Sequence, residues 1–285
     1  MKLNVIVWKK AICMKYKSEF LGEFLGTLIL VLFGCGSVAV TVLFNAHQGL
    51  LQIALVWGIG VSLAIYATRH LSCAHLNPAV SLAMVATKRM KAGKLPVYLV
   101  AQFLGAIIAG LIIYAAFSPS IAAYELSHQI VRGSKESAQV AKMFGEYYQL
   151  PGSSAVVSMP LAAAIEALGT FILVLIIFSL TEGCNLGRPD DNLAPIFIGL
   201  TVTSVICLFA PLTQAGFNPA RDLGPRLVAW IFGWGFAAFP DSQGGFFWVY
   251  IFAPIIGGQL SGHFFTQVVE PQMRRQRETC DCSSK

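Results

Sequence analysis

Two copies of one tripeptide carry the groups best placed to do chemistry: Asn77-Pro78-Ala79 and Asn218-Pro219-Ala220. Asn before Pro reads as a helix start. The Asn side chain caps free amides of the first turn, and Pro suits the first helical position, where its missing N–H costs nothing. The Asn amide N–H groups can also donate to a neutral molecule. Arg221 follows the second copy and adds a permanent cation with several donors. Glu23 and Glu166 open two similar apolar segments. Buried carboxylates can relay protons, but the duplicate placement favours structure, each accepting hydrogen bonds from a nearby loop. No His cluster, carboxylate pair or nucleophile with a base stands at a shared depth, and the five histidines are scattered. The chain therefore reads as a non-enzyme without cofactor or metal. The tail pair Cys280 and Cys282 lacks a second ligand pair for a metal site.

The elements that must hold these residues are membrane spans. Of 285 residues, 56% are hydrophobic and 12% charged, against about 25% charged in ordinary soluble domains. Residues 24–68, 95–124, 192–220 and 242–269 contain no Asp, Glu, Lys or Arg. A spanning helix needs about 20 apolar residues. The sequence predicts six spans, near 19–42, 50–69, 95–117, 160–181, 193–211 and 246–268. Two apolar stretches, near 77–87 and 218–232, are too short to cross. The start, 1–17, carries Lys2, Lys9, Lys10, Lys15 and Lys17 and precedes a full span, so it reads as a retained tail. Six spans put both termini on one side, together with Lys88, Arg89, Lys91, Lys94, Arg188, Arg274, Arg275 and Arg277. The positive-inside rule makes that side cytoplasmic. The net charge of +6 is then a topology signal; a nucleic-acid partner finds no basic face interleaved with aromatics.

Glu23-Phe24-Leu25-Gly26-Thr27 returns in the second half of the chain as Glu166-Ala167-Leu168-Gly169-Thr170, and the Asn-Pro-Ala copies repeat at nearly the same spacing. Three spans per repeat mean that the second half enters the membrane from the opposite face, which makes the halves inverted copies. The short apolar stretches then read as re-entrant half-helices meeting near the midplane. The organisation is a cytoplasmic tail over 1–17, one channel domain over 18–270 and a second cytoplasmic tail over 271–285. Within the domain, repeat 1 covers about 18–117 and repeat 2 about 159–270. An extracytoplasmic loop over 118–158 joins them, with turn signals at Ser118-Pro119-Ser120 and Pro151-Gly152. Irregular backbone inside a bilayer is tolerated where protein buries it or it lines water. Carbonyls of Cys73, Ala74, His75 and Leu76, and of Thr213, Gln214 and Gly216, are the expected polar rail. Two helix N-termini converging at the centre repel cations and protons.

His75-Leu76-Asn77-Pro78-Ala79-Val80 and Phe217-Asn218-Pro219-Ala220-Arg221-Asp222 resemble the signature loops of the major intrinsic proteins, the aquaporins and glycerol facilitators, over about 18–268. Asp222, Arg226 and Pro254-Ile255 resemble the glycerol-facilitator branch. The resemblance implies an all-α membrane protein of six transmembrane helices and two re-entrant half-helices. It also implies a homotetramer with one pore per subunit. Asn77 and Asn218 become the central pore asparagines, and Trp57, Ile206, Ala215 and Arg221 the selectivity filter, with Trp57 an apolar wall opposite Arg221. Asp222 is expected to pair with Arg226. Typical glycerol facilitators carry Gly at 206 and an aromatic at 215, so Ile206 and Ala215 depart from the branch and resemble nodulin-26-like channels. A His at 206 would have indicated strict water selectivity. The implied activity is passive conduction of glycerol and water across the cell membrane, with protons and ions excluded. A mainly water-conducting pore, or one for urea, ammonia or metalloid acids, stays open at this point. A coupled carrier would need a midplane ion site, for which Glu23 and Glu166 are the only candidates.

Overall fold

The computed structural model describes residues 16–151, 154–239 and 244–283. The lysines at 2, 9, 10 and 15 lie outside these residues, as do the side chains of Cys280 and Cys282. Among the described residues every regular element is helical. The first three spans are Lys17–Phe44, Leu50–Thr68 and Leu95–Ser127, the fourth and fifth Met159–Thr181 and Ala194–Thr213. All five are long and apolar enough to cross a bilayer. The sixth crossing is wound in three pieces: π-wound Phe247–Phe252, α-helical Ala253–Phe264 and π-wound Phe265–Val269. The half-helices are Pro78–Ala86 and Pro219–Ala229.

Polar side chains are buried within the apolar core, and large apolar side chains stay exposed on the outside, as suits a bundle set in lipid. Glu23, Thr27, Gln102, Glu166 and Thr170 are fully buried. Leu51, Leu55, Ile59 and Leu63 form an exposed stripe at four-residue spacing along the second span. Such a stripe suits lipid or another subunit. The chain is thus a multi-pass membrane protein.

The packing repeats with the sequence. The first span lies against the second and third, and the fourth against the fifth and sixth. Each half-helix then packs on the last span of the other half: Pro219–Ala229 on Leu95–Ser127, and Pro78–Ala86 on Ala253–Phe264. Glycines allow the closest approaches. A Cβ on Gly58 would run into the Gly199 carbonyl, and one on Gly199 into the Gly58 carbonyl. That crossing joins the second and fifth spans. A Cβ on Gly258 would stand 3.1 Å from the Ala79 carbonyl, so Gly258 is the floor on which the first half-helix rests.

Two expected boundaries move. The third span runs beyond 117, through Pro119 and on to Ser127. Proline removes its own backbone donor and crowds the carbonyl four residues back, but beyond it Ile121 is fully buried and Glu125 binds Arg132 at 2.7 Å, so packing carries the helix on. The segment after 270 continues as the helix Glu270–Ser283. Its first residue is tied down: Arg89 reaches Glu270 at 2.5 Å and Glu182 at 2.8 Å, and Arg277 donates to the Gly183 carbonyl at 3.1 Å. The end of the first half-helix, the loop after the fourth span and the C-terminal helix therefore share one face of the protein. The long connecting segment and Arg132, which donates to the Phe232 carbonyl at 3.3 Å, stand with the end of the second half-helix.

Candidate functional site: where two half-helices meet

Each half-helix begins at its Asn. The Asn77 side chain accepts from the Ala79 N–H at 2.9 Å, and Asn218 from Ala220 and Arg221 at 3.1 and 3.2 Å. The carbonyl oxygen of each side chain is used on its own helix. The amide nitrogen is used on the other half: Asn77 Nδ2 donates to the Phe217 carbonyl at 2.9 Å, and Asn218 Nδ2 to the Leu76 carbonyl at 2.8 Å. The tips thus touch through reciprocal bonds. An amide nitrogen has two hydrogens, and both asparagines line the central cavity, so each retains a donor for an occupant.

The backbone leading into each tip is held in an unusual shape. Ala74 and Leu76 have φ of 49° and 55°, and Ala215 and Phe217, at the matching positions of the second half, 65° and 52°. A non-glycine residue in this left-handed region costs about 1–2 kcal/mol. The two buried glutamates hold the strained turns. Glu23 accepts from Ser72 Oγ at 2.8 Å, the His75 and Leu76 N–H groups at 3.0 and 2.8 Å, and Gln102 Nε2 at 2.8 Å. Glu166 accepts from Thr213 Oγ1 at 2.6 Å and the Gly216 and Phe217 N–H groups at 3.0 and 2.7 Å. With the N–H groups directed to the carboxylates, the carbonyls of Ala74, His75, Ala215 and Gly216 have no donor among the described residues.

The cavity beside these turns has a volume of about 420 Å³. Cys73, Ala74, His75 and Leu76 line it from the first half, and Ala215, Gly216 and Phe217 from the second. It runs from Arg69, Arg89 and Asp191 at one end to Trp57, Ile206 and Arg221 at the other. Here the structure shortens the expected rail. Thr213 and Gln214 are not among the lining residues. The Thr213 carbonyl instead accepts from Tyr250 Oη at 2.8 Å, and Gln214 Oε1 accepts from the Tyr147 N–H at 2.8 Å. Both residues anchor the turn to its surroundings.

At the Trp57 end of the cavity the guanidinium of Arg221 lies over the Trp57 ring, 4.1 Å from its centroid. Gly34 seats that ring, because a Cβ on Gly34 would collide with the indole. Arg221 is buried and forms an ion pair with Glu146. Asp222 binds Arg226 through Nε at 3.0 Å and Nη2 at 2.9 Å. Arg226 also donates to the Glu146 carbonyl at 2.6 Å and to the Ala238 carbonyl, and the Glu146 N–H donates to Asp222 Oδ1 at 2.7 Å.

Every site residue expected from the sequence lies in this cavity wall or in the network behind it. Glu146, Gly34, Tyr250 and Gln102 were not singled out. From sequence, Glu146 reads as one of three loop acids balancing Arg132, Lys135 and Lys142. The structure gives Arg132 to Glu125 and Glu146 to Arg221. The one local sequence hint was the aromatic cluster around Glu146, at Phe144, Tyr147 and Tyr148.

The family profile described as "Major intrinsic protein" matches residues 10–265. The glycerol uptake facilitator protein of Pseudomonas aeruginosa is 41% identical over 243 residues, which is 85% of each chain. The propanediol uptake facilitator of Citrobacter freundii is 40% identical over 85% of this chain and 88% of that one. Among solved structures, the aquaglyceroporin from Plasmodium falciparum superposes with a TM-score of 0.77 at 28% identity, covering 90% of this chain and 98% of that chain. With the inverted repeat, the paired half-helices and this match over nearly its whole length, the chain belongs to the major intrinsic protein family.

Proposed function

We propose that this protein conducts glycerol and water passively, with related small polyols, and excludes protons and ions. It is a channel and carries out no reaction. The observation that carries the reading is the reciprocal pair of bonds between Asn77 and Phe217 and between Asn218 and Leu76. They fix two helix N-termini tip to tip beside the cavity, and each Asn keeps one donor there. A hydroxyl or a water can accept from these amides and donate to the free carbonyls of Ala74, His75, Ala215 and Gly216. A cation meets two positive helix ends. At the Trp57 end Trp57 and Ile206 face a carbon backbone, and Arg221 Nη1, buried without a hydrogen-bond partner among the described residues, serves hydroxyls. The filter roles of Trp57, Ile206, Ala215 and Arg221 follow. The printed names of the relatives, for glycerol and propanediol uptake, support a polyol.

The working assembly is a homotetramer in the cell membrane, with both termini cytoplasmic. The exposed apolar stripes suit subunit or lipid contact, and the basic residues gathered around Arg89 and Arg277 suit the cytoplasmic face. Stopped-flow light scattering of proteoliposomes under water, glycerol and urea gradients tests the function. Fast, non-saturating glycerol and water flux, indifferent to ion gradients, is expected. Glycerol permeability equal to that of empty vesicles beside high water flux would remove glycerol, and saturating flux that follows an ion gradient would remove the channel.

A further inference from the structure

Glu146 belongs to the connecting segment, yet it is 4% exposed and its carboxylate lies on Arg221. Its neighbours Met143, Phe144, Tyr147 and Tyr148 are buried as well. The backbone on both sides is pinned independently of the carboxylate: the Glu146 N–H to Asp222, its carbonyl to Arg226, and the Tyr147 N–H to Gln214. The segment is thus docked against the protein and carries one charge to the Trp57–Arg221 end of the cavity. Each arginine there has its own carboxylate. Arg221 is matched by Glu146, and Arg226 by Asp222 at 2.9 Å, while Asp222 stands 3.9 Å from Arg221 Nη1. Lys142 is half-buried on the same segment, near enough for Glu146 to act on it electrostatically. A constriction with an unbalanced arginine would do more than repel cations. Rings of Arg or Lys are how pores select anions.

We propose that Glu146 is a further specificity-determining residue: by neutralising Arg221 it keeps small anions out of the constriction, and it leaves Nη1 as the donor for a neutral hydroxyl. The idea rests on the channel reading, and the experiment separates the two. Vesicles loaded with an anion-sensitive dye report nitrate influx, while light scattering on the same vesicles reports water flux. Water flux well above empty vesicles establishes the channel by itself. Native protein should admit no nitrate above the empty-vesicle rate. Glu146→Gln and Glu146→Ser, which keep the pinned backbone, should raise nitrate influx about tenfold or more, the scale on which an unbalanced cleft concentrates counter-ions, and the rise should shrink as ionic strength grows. Glu146→Asp keeps the charge and should stay tight to nitrate. The double variant E146Q/R221Q removes the bare cation and should return to the native nitrate rate. The proposal is overturned if E146Q or E146S conducts water yet admits nitrate at the native rate. It is equally overturned if the double variant leaks as E146Q does, because the leak would then come from loosening and not from charge. Loss of water flux in both E146Q and E146S also counts against it, since Glu146 would then be a folding element.

Discussion

Glu166→Gln is the smallest change that tests how the second half-loop is held. All of its backbone partners are donors, and there are three bonds in total: from Thr213 Oγ1, Gly216 N and Phe217 N. A carboxylate can accept all three, whereas a carboxamide has one accepting atom. Turned one way, the new NH2 faces Gly216 N–H; Thr213 can rotate to accept, but Gly216 cannot. Turned the other way, it faces Phe217 N–H. Either orientation strands one buried backbone donor. Three bonds at about 1.5 kcal/mol each hold the turn with about 4–5 kcal/mol. The left-handed conformations of Ala215 and Phe217 oppose this with about 2–4 kcal/mol together. A surplus of about 1 kcal/mol becomes a deficit of about 1 kcal/mol when one bond is lost and its donor is left bare. The fraction of channels with the turn in place should then fall about fivefold. Glycerol and water permeability per folded channel should fall by that factor together, and the detergent-solubilised protein should melt earlier. Native melting and native permeability in E166Q would refute the reasoning. Glu23→Gln should behave alike, because either amide orientation strands His75 or Leu76 N–H.

Three further outcomes follow from particular contacts. Gly34→Ala pushes the Trp57 indole towards the cavity, so glycerol flux should drop by about tenfold while water flux drops less; equal losses in stopped-flow traces would point to misfolding instead. Cys73 is exposed on the cavity wall, whereas Cys35 and Cys184 are buried, so mercurials should block the native channel and spare Cys73→Ser; full block of that variant would move the target elsewhere. Burial alone would raise the Glu182 carboxyl, but the hydrogen bond from Arg89 holds it below its ordinary value of 4.5. Its contribution is therefore present above pH 4.5 and lost as pH falls through the lowered value, so native protein should lose melting temperature more steeply below pH 4.5 than Glu182→Gln does. Matching pH profiles of the two would contradict this.

The spans were legible because a bilayer penalises charge so heavily that four charge-free stretches mark out five of them, and the remaining one carries a single charge, Glu166. The half-helices were legible because Asn-Pro sets a cap and a first turn locally. Their meeting was legible only through repetition: two markers at nearly one spacing imply inversion, and inversion brings equivalent residues together. What the sequence hid depends on one copy alone. Glu146 has no repeat partner and sits far along the chain from Arg221, so only its aromatic neighbours set it apart from an exposed loop acid. The continuation past Pro119 was hidden because packing of Ile121 outweighs a turn signal. The sixth crossing was read at its full length, but its two π-wound stretches leave no trace in hydropathy.

Because the first half-helix rests on Gly258, the order of biosynthesis matters. Ala79 leaves the ribosome well before its floor has been made. At ordinary elongation rates of about 5–20 residues per second, the wait lasts about 10–35 s. Throughout it, the newborn hairpin with its unpaired carbonyls must stand in the membrane unfinished, so the nascent channel stays vulnerable to quality-control proteolysis until its final span arrives.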